Sequence, residues 1–292
     1  MSDYMIRGTA ADDAVRAFAC TTKDMVEQMR EYHDTWPVVS AALGRLITAA
    51  SMMGVMMKGD RDTLTVQIKS DGPVKGLIAV AKSNGDVKGM AFNNHVEETL
   101  KRPGKLDVGA AVGKGRLTVV KDLGLREPYV GTVSLVSGEI AEDITYYFAE
   151  SEQVPSVVAL GVLVDTDCSI KEAGGFMIQL MPGCPDEVIT EIENRVKNIK
   201  SVTGMLEDGL TPEDMLESVL GSLDLHIMER YEPKYKCDCS REKMEKALLS
   251  LGLKDLQGLY DDNEPAEMCC EFCNKKYTFS HEEIGRFVSQ RS

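Results

Sequence analysis

The spacing of apolar and polar residues along the chain changes character twice. Up to about Pro182, short apolar runs alternate with polar positions and read as strands: MIRGT, AVRAFACTT, LTVQIK, VKGLIAVAK, DVKGMAF, GRLTVVKD, YVGTVSLVSG, SVVALGVLVD and GGFMIQLM. Turn signals such as SDGP and SNGD separate several of them, so antiparallel neighbours are expected. Helical periodicity covers about Lys23 to Asp34. A second stretch starts with Pro37 at a first-turn position and runs to about Met57, and a third lies near Glu142 to Glu152. The fold class expected for residues 1–182 is α+β, with helices covering sheets and no regular strand–helix–strand alternation.

From Cys184 to about Tyr231 the pattern is helical. Val188, Ile189, Ile192, Val196 and Ile199 recur at helical spacing, and TPEDMLESVLG offers Thr211 as N-cap, Pro212 in the first turn and Gly221 as a stop. Glycines at 204, 209 and 221 interrupt this stretch, and helices shorter than about 12–15 residues are marginal alone. Residues 183–231 therefore read as a helical linker that needs a neighbour. Residues 232–292 form a third, small unit. It carries a helix after Ser240 with Met244, Ala247, Leu248 and Leu251 inward and Gly252 as its C-cap, a strand-like KKYTFS, and a closing helix opened by the capping box at Ser280 to Glu283. A core of this size rarely supplies more than about 3–5 kcal/mol, so the unit needs a staple.

Charge narrows the function. With a formal net charge of -14 over 292 residues and no Lys/Arg-rich block, the chain lacks the basic footprint of a nucleic-acid or anionic-membrane binder. The start MSDYMIRG does not resemble a signal peptide. The longest apolar run, Val157 to Val164, is far short of the roughly 20 residues a membrane helix needs, and Arg45 interrupts the other candidate, AALGRLITAASMMGVMM. The expected location is the cytoplasm. There, eight cysteines favour metal or redox chemistry over structural disulfides.

The cysteines cluster in the third unit. KCDCS places Cys237 and Cys239 one residue apart, and EMCCEFCNKK places Cys270 and Cys273 two residues apart, with thirty residues between the pairs. Two close pairs separated by a small helical segment suit a closed, tetrahedral zinc site of four thiolates, Cys237, Cys239, Cys270 and Cys273. Cys269 would leave a three-residue spacer to Cys273, which zinc sites also tolerate. Cys270 is the favoured ligand and Cys269 a spare thiol. His281, just after a helix cap, reads as a solvated surface group, and Cys20, Cys168 and Cys184 as ordinary buried residues, Cys184 partly exposed.

Bound thiolates are also the form that oxidants attack. Structural zinc contributes on the order of 10–16 kcal/mol in finger peptides, so oxidation of its ligands can unfold a unit this small. Enzyme signatures fail: GAAVGKGR has Gly115 after Lys114 where a phosphate loop needs Ser or Thr, HEEIG is no metalloprotease motif, and no GxSxG elbow is present. A thioredoxin-like Cys-x-x-Cys should open a helix, whereas Cys273 runs into KKYTFS. No enzyme is expected.

The cysteine spacing, together with TWPVVSAALGRLITAASMMG, KLDVGAAVGKGRLTVVKDLGLREPYVG, SGEIAEDITYYFAESEQVPS and AGGFMIQLMPG, resembles the bacterial redox-regulated heat-shock chaperone family of about thirty-three kilodaltons over essentially the whole chain. The resemblance implies an ATP-independent holdase, inactive when reduced and zinc-bound. It implies that oxidation joins Cys237 with Cys239 and Cys270 with Cys273, expels zinc, unfolds the zinc unit and linker, and exposes a surface for unfolding client proteins. It further implies dimerisation on activation and transfer of clients to ATP-dependent foldases. Cys269 departs from the plain pattern. Two segments are candidates for client contact: the cluster Met52, Met53, Met56 and Met57, which also suits a helix core, and the linker face of Val188, Ile189, Ile192, Val196, Met215, Leu216 and Leu220. A constitutive zinc-containing adaptor for a folded partner is the competing function.

Overall fold

The computed structural model describes residues 2–97, 100–102 and 104–291, and the chain divides into two compact units, Met1–Lys236 and Cys237–Ser292. The first unit opens with β1 (Tyr4–Ala10), β2 (Val15–Thr21), α1 (Lys23–His33), α2 (Pro37–Gly54), β3 (Thr63–Ser70), β4 (Gly76–Lys82) and β5 (Val87–Ala91). A two-stranded ribbon of β6 (Leu100–Arg102) and β7 (Lys105–Leu106) and the short α3 (Val108–Val112) lead to β8 (Gly115–Asp122) and β9 (Tyr129–Ser134). After α4 (Ala141–Tyr147), which widens into a turn of π-helix over Phe148–Glu152, come β10 (Ser156–Val164) and β11 (Ile170–Leu180). Three helices follow, α5 (Asp186–Asn198), α6 (Val202–Glu207) and α7 (Pro212–Leu220), and then β12 (His226–Tyr231). The α+β expectation holds, and every strand anticipated before Pro182 is present.

Two five-stranded sheets, both antiparallel throughout, organise this unit, in the orders β10-β11-β2-β1-β12 and β5-β4-β3-β8-β9. Helix α2 packs against strands of both, which explains why sixteen of its residues are buried, among them Leu43, Leu46, Ile47 and Met52. By length and composition alone α2 could cross a membrane, but its apolar surface is spent on the protein core. Gly44 is required there: a Cβ would stand 2.7 Å from a methyl of Val26 on α1.

The first sheet is buried on both faces, and its side chains alternate between two cores. Met5, Phe18, Cys20 and Met177 point to the core around α2. Tyr4, Ile6, Val15, Ala17, Ala19, Phe176 and Ile178 point the other way, and there α5, α6 and α7 cover them with Ile192, Val202, Met205, Leu206, Met215, Leu216, Val219 and Leu220. This is the neighbour the short helices need. Thr211 caps α7 as expected, accepting from Asp214 N at 3.2 Å while the Asp214 carboxylate accepts from Thr211 N. The Tyr4 hydroxyl donates to Glu213 at 2.5 Å and ties α7 to β1.

The reading of 184–231 as helical is corrected at its end. His226–Tyr231 is an edge strand paired with β1 across more than two hundred residues, a contact that local periodicity does not carry. Beyond it Val87 N–H donates to Lys234 O, Lys236 N–H donates to Val87 O, and the buried Tyr235 hydroxyl donates to Gly89 O at 2.7 Å. The chain is thus anchored up to the residue before Cys237. Cys20 is buried and Cys184 partly exposed, as expected, but Cys168 is exposed because it sits in the β10–β11 turn with φ 70°.

Asp3 yields a pH prediction. Its Oδ2 accepts from Met25 N at 2.7 Å at the start of α1, while its buried Oδ1 has no partner among the described residues. Burial pushes the carboxyl up to about 6, against the lowering effect of the α1 backbone N–H groups. A raised folded pKa gives stability that is full below the unfolded value and is lost as pH rises through about 6. Asp3→Asn is therefore expected to flatten the stability profile between pH 4 and 7 and to stabilise at pH 7 by up to about 3 kcal/mol. Denaturant melts across that range test it, and an unchanged profile would contradict it.

Candidate metal centre

The second unit is built by α8 (Arg241–Leu249), α9 (Leu253–Asp261), the hairpin β13 (Ala266–Cys269) and β14 (Lys276–Phe279), and α10 (His281–Arg291). Ser280 and Glu283 form the anticipated capping box, with Ser280 N donating to Glu283 and Glu283 N to Ser280. The inward face of α8 is corrected: Leu248 is buried and Met244 partly so, but Ala247 and Leu251 are exposed. Gly252 caps the start of α9 and not the end of α8, because a second helix follows after three residues. The core comprises six buried residues, Leu248, Leu256, Tyr277, Phe279, Ile284 and Phe287. Arg241 clamps it, its guanidinium lying 4.5 Å from the Phe279 ring and bonding both carboxylate oxygens of Glu283.

Cys237 and Cys239 lie on the extended stretch that Ser240 ends by capping α8. Cys270 and Cys273 lie in the tight turn joining β13 to β14. Cys270 N donates to Lys275 O there, and Cys273 N and Asn274 N both donate to Cys270 O, with Asn274 in the left-handed region. These two loops bring the four Sγ atoms within 4.8 Å of one another. Cys237 Sγ is 3.6 Å from Cys270 Sγ, and Cys239 Sγ is 3.5 Å from Cys273 Sγ. Four sulfurs at about 2.3 Å from a tetrahedral ion stand about 3.8 Å apart, so the cluster could hold one metal ion in an arrangement compatible with zinc. Disulfide sulfurs stand about 2.05 Å apart, so the four are free thiols.

Cys269 stays out of the cluster. It ends β13, is exposed, and its sulfur lies 3.9 Å from Asn274 Oδ1. His281 is also outside the cluster, but it is half-buried and stacks on Tyr260 with ring centroids 4.3 Å apart, not solvated as expected.

The residue that sequence reasoning missed is Tyr277. Its hydroxyl lies 3.1 Å from Cys239 Sγ, within hydrogen-bond distance, and would donate to the sulfur when that is a thiolate. The available signal was the alternation of Tyr277 and Phe279 after Cys273, which turns both rings inward on β14. Burial acts to raise the Cys239 thiol, but hydrogen bonds from Tyr277 and the other cysteines outweigh it and bring it down to about 7. Burial pushes Cys237 and Cys273 up. Partners of this kind hold ligands in place and typically matter 10–100-fold to metal affinity. Tyr277→Phe is expected to weaken zinc binding about tenfold in chelator competition while leaving one metal per chain. Unchanged affinity would show that the hydroxyl does nothing for the sulfur.

Three comparisons bear on identity. The family model described as "Hsp33 protein" matches residues 3–280. The chain belongs to the Hsp33 family. A 33 kDa chaperonin of Agathobacter rectalis is 55% identical over 97% of this chain and 99% of its own length, and one of Clostridium perfringens is 51% identical over 100% and 92%. The crystal structure of the 33 kDa chaperonin Hsp33 from Thermotoga maritima superposes with a TM-score of 0.93 at 37% identity, covering 100% of this chain and 99% of that one. The relatives carry the name chaperonin, which places this member of the Hsp33 family among chaperones.

Proposed function

We propose that the chain is an ATP-independent holdase switched on by oxidation of Cys237, Cys239, Cys270 and Cys273, with three functional segments, 1–182, 183–231 and 232–292. The observation that carries the reading is the gathering of four thiols over a core of only six buried residues. Zinc, when bound, supplies the cross-link that this core lacks and holds the sulfurs as thiolates.

Peroxide takes two electrons from each pair of thiolates. One S–S bond forms, the O–O bond breaks, and two protons complete two waters. Four sulfurs in two disulfides no longer carry the charge that retains a divalent cation. The closest sulfurs in the folded unit lie across the two loops, but once the unit loosens, neighbours in sequence close the smallest rings. The family resemblance implies pairing of Cys237 with Cys239 and Cys270 with Cys273.

The family resemblance implies that the linker unfolds with the unit, and departure of α5, α6 and α7 would bare both their own apolar faces and the first sheet's outer face. The methionines divide. Met52 and Met53 are core, although Met53 also reaches a surface cleft of about 280 Å³ that Met56 and Met57 border with Leu123 and Phe148, a second place for client contact. Dimerisation after oxidation, transfer to ATP-dependent foldases and a cytoplasmic location complete the proposal.

The test is light scattering of an unfolding client, with reduced zinc-loaded protein beside protein treated with peroxide at elevated temperature. Suppression of aggregation by the oxidised form alone is expected. Suppression by neither form would favour a constitutive zinc-containing adaptor.

A further inference from the structure

The chain is strongly acidic, yet one of its clefts is lined by cations. It measures about 340 Å³ and lies between the β6–β7 ribbon, α2, β10 and the first turn of α6. Arg45 of α2 and Arg102 and Lys105 of the ribbon face it, and Ser201 and Thr203 of the α6 turn stand opposite. Gly161 on β10 lets the α6 turn approach, since a Cβ there would meet Thr203 at 2.9 Å.

The charges are only partly answered. Arg45 Nη1 binds Glu139 Oε2 at 2.8 Å and its backbone oxygen at 3.3 Å, while Arg45 Nε is buried and has no partner among the described residues. The same Glu139 carboxylate also takes Lys101 Nζ at 2.9 Å, so one anion serves two cations. The loop holding Glu139 is fixed by Asp143, whose carboxylate accepts from four backbone N–H groups, of Val136, Ser137, Gly138 and Ile140. The nearby Asp107 is engaged at the start of α3, accepting from Ala110 N. Among the described residues no carboxylate pairs with Arg102 or Lys105.

We propose that this cleft binds a polyanion of the phosphate class and that such a ligand holds α6 against the body of the unit. Guanidinium groups bond phosphoryl oxygens in bidentate fashion, and the volume suits a chain of phosphoryl groups better than a monatomic anion. A ligand that touches the ribbon and α6 together binds only while α6 is docked, so it opposes helix release by mass action. This second half rests on the linker-release reading above; the binding itself does not.

The probe is inorganic tripolyphosphate, titrated calorimetrically into reduced, metal-loaded full-length protein at physiological ionic strength. Saturable one-to-one binding is expected, weakened at least tenfold in Arg102→Ala/Lys105→Ala, whose side chains are exposed, and unchanged in the distant control Lys58→Ala. Hydrogen exchange through opening of Val202–Glu207 should slow about 100-fold at a ligand concentration 100 times Kd. Adenosine triphosphate run beside it separates the sources: tighter binding assigns a nucleotide, equal or weaker binding an inorganic chain. No saturable binding, or binding indifferent to the double variant, overturns the site. Binding without protection of α6 overturns its coupling to the helix. None of these readings uses oxidant, so failure of the redox switch would leave them standing.

Discussion

Replacing Cys270 with serine is expected to abolish metal binding and to leave Cys237–Ser292 unfolded in reducing buffer. Cys270 is the buried member of the four, and a serine hydroxyl neither ionises at neutral pH nor matches thiolate softness toward zinc. The metal contributes on the order of 10–16 kcal/mol to a unit of this kind, against about 3–5 kcal/mol from a small core. Six buried side chains do not make up that difference. Zinc per chain should fall to near zero, and limited proteolysis should cut freely after Lys236. The same change one residue earlier, Cys269→Ser, should leave zinc stoichiometry intact, because that exposed sulfur is not one of the four that gather. Loss of metal from Cys269→Ser, or retention in Cys270→Ser, would reverse the ligand assignment.

Leu216→Asp is expected to activate the protein without oxidant. Leu216 is fully buried between α7 and the first sheet, and an unpaired carboxylate there costs several kcal/mol, enough to lift a layer of short helices. The reduced variant should keep its zinc and suppress client aggregation. Hydrogen exchange of α2, which lies in the other core, should remain slow and so exclude general unfolding. If the helices become protease-sensitive while aggregation proceeds unchecked, the client surface lies elsewhere than beneath them.

The strands before Pro182 were legible because each is a short apolar or alternating run, several of them bounded by turn residues, and α2 because Pro37 opens a long, mostly apolar run that announces a buried helix. The four thiols were legible because cysteine pairs at short spacing have few other uses. The β6–β7 ribbon was not, since LKR and KL are too short to show a period. Nor was β12: HIMERY follows a helical run, and only its distant partner β1 makes it a strand. Tyr277 escaped for a related reason. A hydroxyl becomes a sulfur partner through the folding of the hairpin back on Cys239, which spacing alone does not reveal.

The attachment of β12 to β1 bears on how the molecule returns to rest. The three covering helices lie between β11 and β12, two strands of the same sheet. Once lifted they form a loop of roughly 45 residues with both ends held, and the entropy of closing it, on the order of 3 kcal/mol, is already met while β12 stays paired. The lifted segment remains at high effective concentration over the face it left. On the proposed helix-release reading, redocking would be an intramolecular competition that a bound client must keep winning. A weakly held client would be shed as the helices settle, and a tightly held one would stay until something else removes it.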